Sequence, residues 1–95
     1  MKLNQLENDL AEKIKSIIDH IDVKINNEPY KEAREILISY KKSGGSQREA
    51  YNIIHQLYIN QNTQKKADFV ADILDMICGF IGNNEYKIWK KYLNT

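Results

Sequence analysis

A chain of 95 residues forms one domain, because a polypeptide of this size buries only about two thirds of its unfolded surface and has no material for a second core. Fourteen Lys and Arg against thirteen Asp and Glu leave a net charge of +1, without the global positive field that marks most nucleic-acid binders. One cysteine, no charged-then-apolar leader ahead of the first amphipathic stretch, and no apolar run near the roughly 20 residues that span a bilayer lead us to expect a cytoplasmic protein without an internal disulfide.

From the N-terminus, Leu3, Leu6, Leu10, Ile14, Ile17, Ile18, Ile21 and Ile25 recur at steps of three and four. That period predicts a long amphipathic helix over residues 3 to 25. Asn26 and Asn27 break it, and Pro29 suits the first turn of a second helix, where a missing N–H costs nothing. Helix two turns Ala33, Ile36, Leu37 and Tyr40 inward and ends at Gly44 and Gly45, which tolerate the left-handed cap conformation. Ser46 with Glu49 three residues later reads as a capping box opening helix three, whose inward side carries Ala50, Ile53, Ile54 and Leu57. A polar turn over residues 60 to 63 leads to helix four, capped by Thr63, lined by Val70, Ile73, Leu74, Ile77 and Ile81, and closed by Gly82 with Asn83 and Asn84. A short fifth helix with Ile88, Trp89, Tyr92 and Leu93 completes the chain. No segment alternates as a strand would, so the expected fold is all-α: a single small bundle of four to five helices over residues 1 to 95.

Helix four carries the most informative polar pattern. At about 100° per residue, Asp68, Asp72, Asp75 and Gly79 fall on one line opposite the apolar side. The positions three and four away from Asp72 are Asp68, Phe69, Asp75 and Met76, so like charges repel along the stripe. Elsewhere the spacing compensates charge, with Asp9 near Lys13, Glu12 near Lys15, and Lys31 between Glu28 and Glu35. A cation from a neighbouring helix, or solvent alone, would explain the stripe blandly. The sharper expectation is an acidic face for a basic partner, with Gly79 permitting close approach.

Helix three gathers Arg48, Tyr51, Asn52, His55 and Tyr58 on its polar side, and exposed Tyr and Arg are frequent interface anchors. Six residues separate Arg48 from His55, a spacing that resembles the R-x4-6-H motif of HEPN ribonucleases. That resemblance implies His as general acid or base and Arg as a stabiliser of phosphate charge, although Glu49 beside Arg48 adds unfavourable negative charge. Helices two and three, joined by Lys41 to Arg48, also have the outline of a helix-turn-helix, against which stands the aspartate stripe of the following helix, repellent to a phosphate backbone. Metal and cofactor chemistry have no support: His20 stands between Asp19 and Ile21 without converging ligands, and the two glycines Gly44 and Gly45 follow no strand. Cys78 beside Ile77 reads as a small packed residue with no local base to activate it. The basic-aromatic end, with Tyr86, Lys87, Trp89, Lys90, Lys91 and Tyr92, reads as a short helix that turns Trp89 inward.

The run Asp72-Ile73-Leu74-Asp75-Met76-Ile77-Cys78-Gly79-Phe80, followed after a polar turn by Ile88-Trp89, resembles the small helical immunity proteins of contact-dependent growth inhibition and related bacterial polymorphic toxin systems. So does Ser43-Gly44-Gly45-Ser46-Gln47-Arg48-Glu49-Ala50 opening a helix ahead of an acidic one, a layout that covers residues 40 to 92. The resemblance implies a non-enzymatic binder that neutralises a cognate toxin domain, often a nuclease with a basic active site, by covering it. The residues read the same way: an acidic stripe beside a tyrosine-rich side complements a cationic cleft. The expected partner is thus a protein toxin rather than nucleic acid or membrane. Asp68, Asp72 and Asp75 are expected to make its charge contacts, and Tyr51, His55 and Tyr58 its apolar and hydrogen-bonding ones, provided helices three and four present one surface. Oligomeric state stays open.

Overall fold

The computed structural model describes residues 5–21, 28–79 and 88–89. Four helices follow in order: α1 (Gln5–Asp19), α2 (Glu28–Lys42), α3 (Gln47–Ile59) and α4 (Gln64–Cys78). They pack into one helical globule whose Cα radius of gyration is 12.4 Å, the size of a single compact domain of this length. Among the described residues there is no strand, and no helix is long and apolar enough to cross a membrane.

The boundaries follow local chemistry. α1 stops at Asp19, short of the residue 25 expected from apolar period. His20 and Ile21 tighten into a turn, their N–H groups bonding the carbonyls three back, Ile17 and Ile18, at 3.1 and 3.2 Å. Ile21 is nevertheless buried, which is why periodicity carried past the true end. Ile25 and Leu3 lie outside the described residues. α2 starts with Glu28 and the buried Pro29 in its first turn, and Gly44 takes φ 99° to reverse the chain after it. Gly45 serves differently: a Cβ there would run into the Tyr40 ring, so the second glycine is required by close approach.

Ser46 caps α3 as expected, its Oγ accepting from the Glu49 N–H at 3.1 Å. Thr63 caps α4, accepting from the Lys66 N–H at 3.3 Å. α4 ends sooner than expected, at Cys78, because Gly79 adopts φ 85° and donates its N–H to Asp75 O at 3.0 Å. Gly79 is therefore the helix terminator. Ile81 and the 82–84 closure lie outside the described residues. So does the expected fifth helix, apart from Ile88 and Trp89, which form a bend.

All four helices feed one core. Leu10, Ile14 and Ile18 of α1, Ala33 and Leu37 of α2, Ala50 and Ile54 of α3, and Phe69, Val70, Ile73 and Ile77 of α4 are at most 2% exposed. Ile36, Leu57 and Leu74, expected inside, are half-buried against its edge. Ile88 is buried, and its carbonyl accepts from Lys41 Nζ at 2.9 Å. Trp89 packs edge-on to Tyr40 at 6.5 Å, which agrees with its inward reading.

Candidate functional site

α3 and α4 run antiparallel after a four-residue turn, and Gln47 at the start of α3 donates its side-chain amide to Ile77 O near the end of α4 at 2.8 Å. That bond ties the start of α3 to the end of α4. On α3, Gln47, Tyr51, Ile54 and Tyr58 are spaced by four, three and four, so they form one strip beside α4. On α4, Ala67, Ala71, Leu74 and Cys78 share the same spacing, and Cys78 lies close enough to Arg48 of α3 to feel its charge.

The aromatic side chains on α3 form a ladder. Tyr51 and His55 stack with centroids 5.6 Å apart and planes 15° from parallel, and His55 and Tyr58 continue at 6.3 Å and 29°. Steps of four and three residues place three flat rings on successive turns, which is why a helix can build such a stack. Tyr51 and His55 are half-buried, while Tyr58 at 39% and its neighbour Ile59 at 56% are the exposed large hydrophobic residues among those described. Arg48 and Asn52 point outward beside them.

The aspartates sit one residue further round α4 than the alanine strip. Asp68 accepts from the Gln64 side-chain amide at 2.7 Å. Asp72 accepts from the Tyr30 hydroxyl at 2.9 Å, which turns it toward α2. Both donors are neutral, so these contacts satisfy lone pairs and leave the charge in place. Asp75 is held above the ordinary aspartate range by partial burial and then by the Asp72 carboxylate, the like-charge repulsion expected from their spacing. The stripe is thus divided: Asp72 is engaged from α2, whereas Asp68 is engaged from within α4. Tyr30, buried partly against Phe69 at 5.1 Å, is pushed up to about 12 by burial, then by its bond to Asp72 and the charges of Asp72 and Asp68.

Some of this was not anticipated from sequence. Tyr30, with Ala33, Leu37 and Tyr40, continues the step of three and four along α2, a signal sufficient to place it inward. Phe69 and Met76, counted only as neighbours of Asp72, are core residues, on a second apolar strip with Ile73. Between α1 and α3, Glu7 and Glu49 share a carboxyl hydrogen bond that, with slight burial and the Glu49 charge, raises Glu7 above the usual glutamate range. No local spacing announces that pair.

His20 is exposed and its Nδ1 lies 2.9 Å from Ser16 O, an acceptor that makes this nitrogen the donor. Cys78 is buried, and burial followed by Asp75 pushes its thiol up against the weaker opposite pull of Arg48. Among the described residues no three His, Cys, Asp or Glu side chains gather as a metal site. A depression of about 140 Å³ between α1 and α2, lined by Leu6, Leu10, Ile36 and Tyr40 among others, falls below the roughly 300 Å³ of ordinary small-molecule pockets. Comparison with known proteins finds no family model that matches this chain, and no curated protein or solved structure significantly similar to it.

Proposed function

We propose that this chain is a cytoplasmic, non-enzymatic immunity protein that binds a cognate toxin domain, a nuclease with a basic active site, and neutralises it by covering that site. The reading rests on one juxtaposition. It is that of the Tyr51–His55–Tyr58 ladder on α3 with the exposed Asp68 and Asp75 on α4, the helix packed against it. Carboxylates steer association with a cationic cleft, and rigid aromatic rings supply contact area at low cost in side-chain entropy. Asp72 is best assigned a supporting part, because Tyr30 already engages it.

The test is a growth assay in which a nuclease toxin domain encoded next to this chain's gene, sought first in the coding region immediately upstream, is expressed with and without this chain, followed by co-purification of the two. Rescue with a stable complex is the expected result. Reversing charge with Asp68→Lys and Asp75→Lys should slow association at low salt by about tenfold or more, whereas Asp72→Asn should change it less. No rescue and no complex would remove this reading. RNA cleavage by the isolated chain that is lost in Arg48→Ala and His55→Ala would replace it with the ribonuclease one.

A further inference from the structure

We infer that the outer face shared by α2 and α4 is a two-fold contact between two copies of this chain, in which Arg34 of each copy pairs with Asp75 of the other. The inference goes beyond the toxin reading and does not depend on it, because the contact needs only the chain itself. Arg34 carries the cationic half. It is half-buried on α2, and its Nε is buried without a hydrogen-bond partner among the described residues, although a buried donor of this kind is normally met. The residues three and four away from it are Tyr30, Lys31, Leu37 and Ile38, so its own helix offers no carboxylate at pairing distance. Asp75 carries the anionic half. It is exposed on α4, and the residues at the same spacing are Ala71, Asp72, Cys78 and Gly79, none of them a cation.

One contact holds the two halves on a common face. The Tyr30 hydroxyl donates to Asp72 at 2.9 Å and the Tyr30 ring lies 5.1 Å from that of Phe69, so the side of α2 bearing Tyr30 adjoins the side of α4 bearing Asp72. Arg34 follows Tyr30 by one turn, and Asp75 follows Asp72 by one. The other charges on these helices are accounted for within the chain. Lys31 stands at supportive spacing between Glu28 and Glu35, Lys41 Nζ is bound to the Ile88 carbonyl, and Glu28, Glu32 and Lys65 each have a partner of their own. Lys42 and Lys66 lie more than two turns along their helices from Arg34 and Asp75. Arg48 of α3 is felt at Cys78, whereas what acts on Asp75 is partial burial and the Asp72 carboxylate. A face with an uncompensated cation and an uncompensated anion complements itself under a two-fold turn, which forms the same Arg34–Asp75 pair twice. A partner of a single sign would meet only one half. With a net charge of +1, two copies have little overall repulsion to overcome.

The experiment measures self-association of the intact chain by sedimentation equilibrium, alone and as the variants Arg34→Glu and Asp75→Arg. The wild type should form a dimer that weakens as salt rises from about 50 to about 500 mM. Each variant alone should associate about tenfold or more weakly, since it sets like charges together twice. Mixing the two variants should restore association, because every pair across the contact is then between opposite charges; a pair closed within one chain could not be rescued by mixing. Arg34→Gln, which keeps a polar side chain, should also weaken the dimer while leaving helix content by circular dichroism unchanged. A wild type that stays monomeric up to about 1 mM, variants that dimerise like the wild type, or a mixture of folded variants that associates no better than its components would overturn the inference. The outcomes separate it from the immunity reading: toxin rescue without self-association defeats only this contact, and self-association without rescue defeats only the toxin.

Discussion

Two glycines show how single residues set this chain's turns by different means. Gly79 holds φ 85°, where an L side chain meets the following carbonyl, so Gly79→Ala should cost about 1–2 kcal/mol. Gly45 has ordinary backbone geometry and is pressed against the Tyr40 ring, so Gly45→Ala must displace an aromatic side chain of the core. Its expected cost is about 1–3 kcal/mol. Urea unfolding of both variants checks the assignment. Only the Gly45 variant should also disturb the Tyr40–Trp89 contact, and with it tryptophan fluorescence. The glycine pair at 44 and 45 was legible as a helix end, but no local rule distinguishes the residue needed for its φ from the one needed for its lack of a Cβ.

Between elements, the α1–α3 contact carries a titratable joint. Glu7 meets Glu49 through a carboxyl hydrogen bond that requires one proton between them. The folded state retains that proton to higher pH than the unfolded chain, whose glutamates titrate near the ordinary value of 4.5. More protons bound in the folded state means stability falls as pH rises through this window. At neutral pH the two carboxylates repel. Glu7→Gln should therefore raise the melting temperature at pH 7, since the amide can donate to Glu49 without a shared proton, and the gain should shrink toward pH 4. Thermal melts at the two pH values decide it, and an equal gain at both would show that repulsion is not the cause. Residue spacing within helices gave no hint of the pair, because its members lie 42 positions apart.

At the scale of the molecule, α1 to α4 share one core, so they should unfold together. Ile54 is fully buried on α3, and Ile54→Ala should remove about 2–5 kcal/mol, a large part of the roughly 5–15 kcal/mol that holds a small domain. Circular dichroism and tryptophan fluorescence should report the same shifted midpoint. Two separate transitions would mean that the α3–α4 hairpin and the α1–α2 pair are independent units.

The all-α class, the four helices, the caps at Ser46 and Thr63 and most core positions were readable from the chain alone, since apolar period and hydrogen-bonding caps act over a few residues. The same locality explains the misses. Apolar residues at 21 and beyond extended the expected α1, although the turn at His20 and Ile21 comes sooner, and Phe69 and Met76 passed as neighbours of a charge. The acidic stripe was visible as a pattern, and so was the aromatic set on α3. Only packing decided that Tyr30 of α2 turns to Asp72 of α4, and that Gln47 of α3 reaches the Ile77 carbonyl of α4. These depend on the rotation of each helix about its axis and on antiparallel register. Both are set by contacts between residues dozens of positions apart, which no local period encodes.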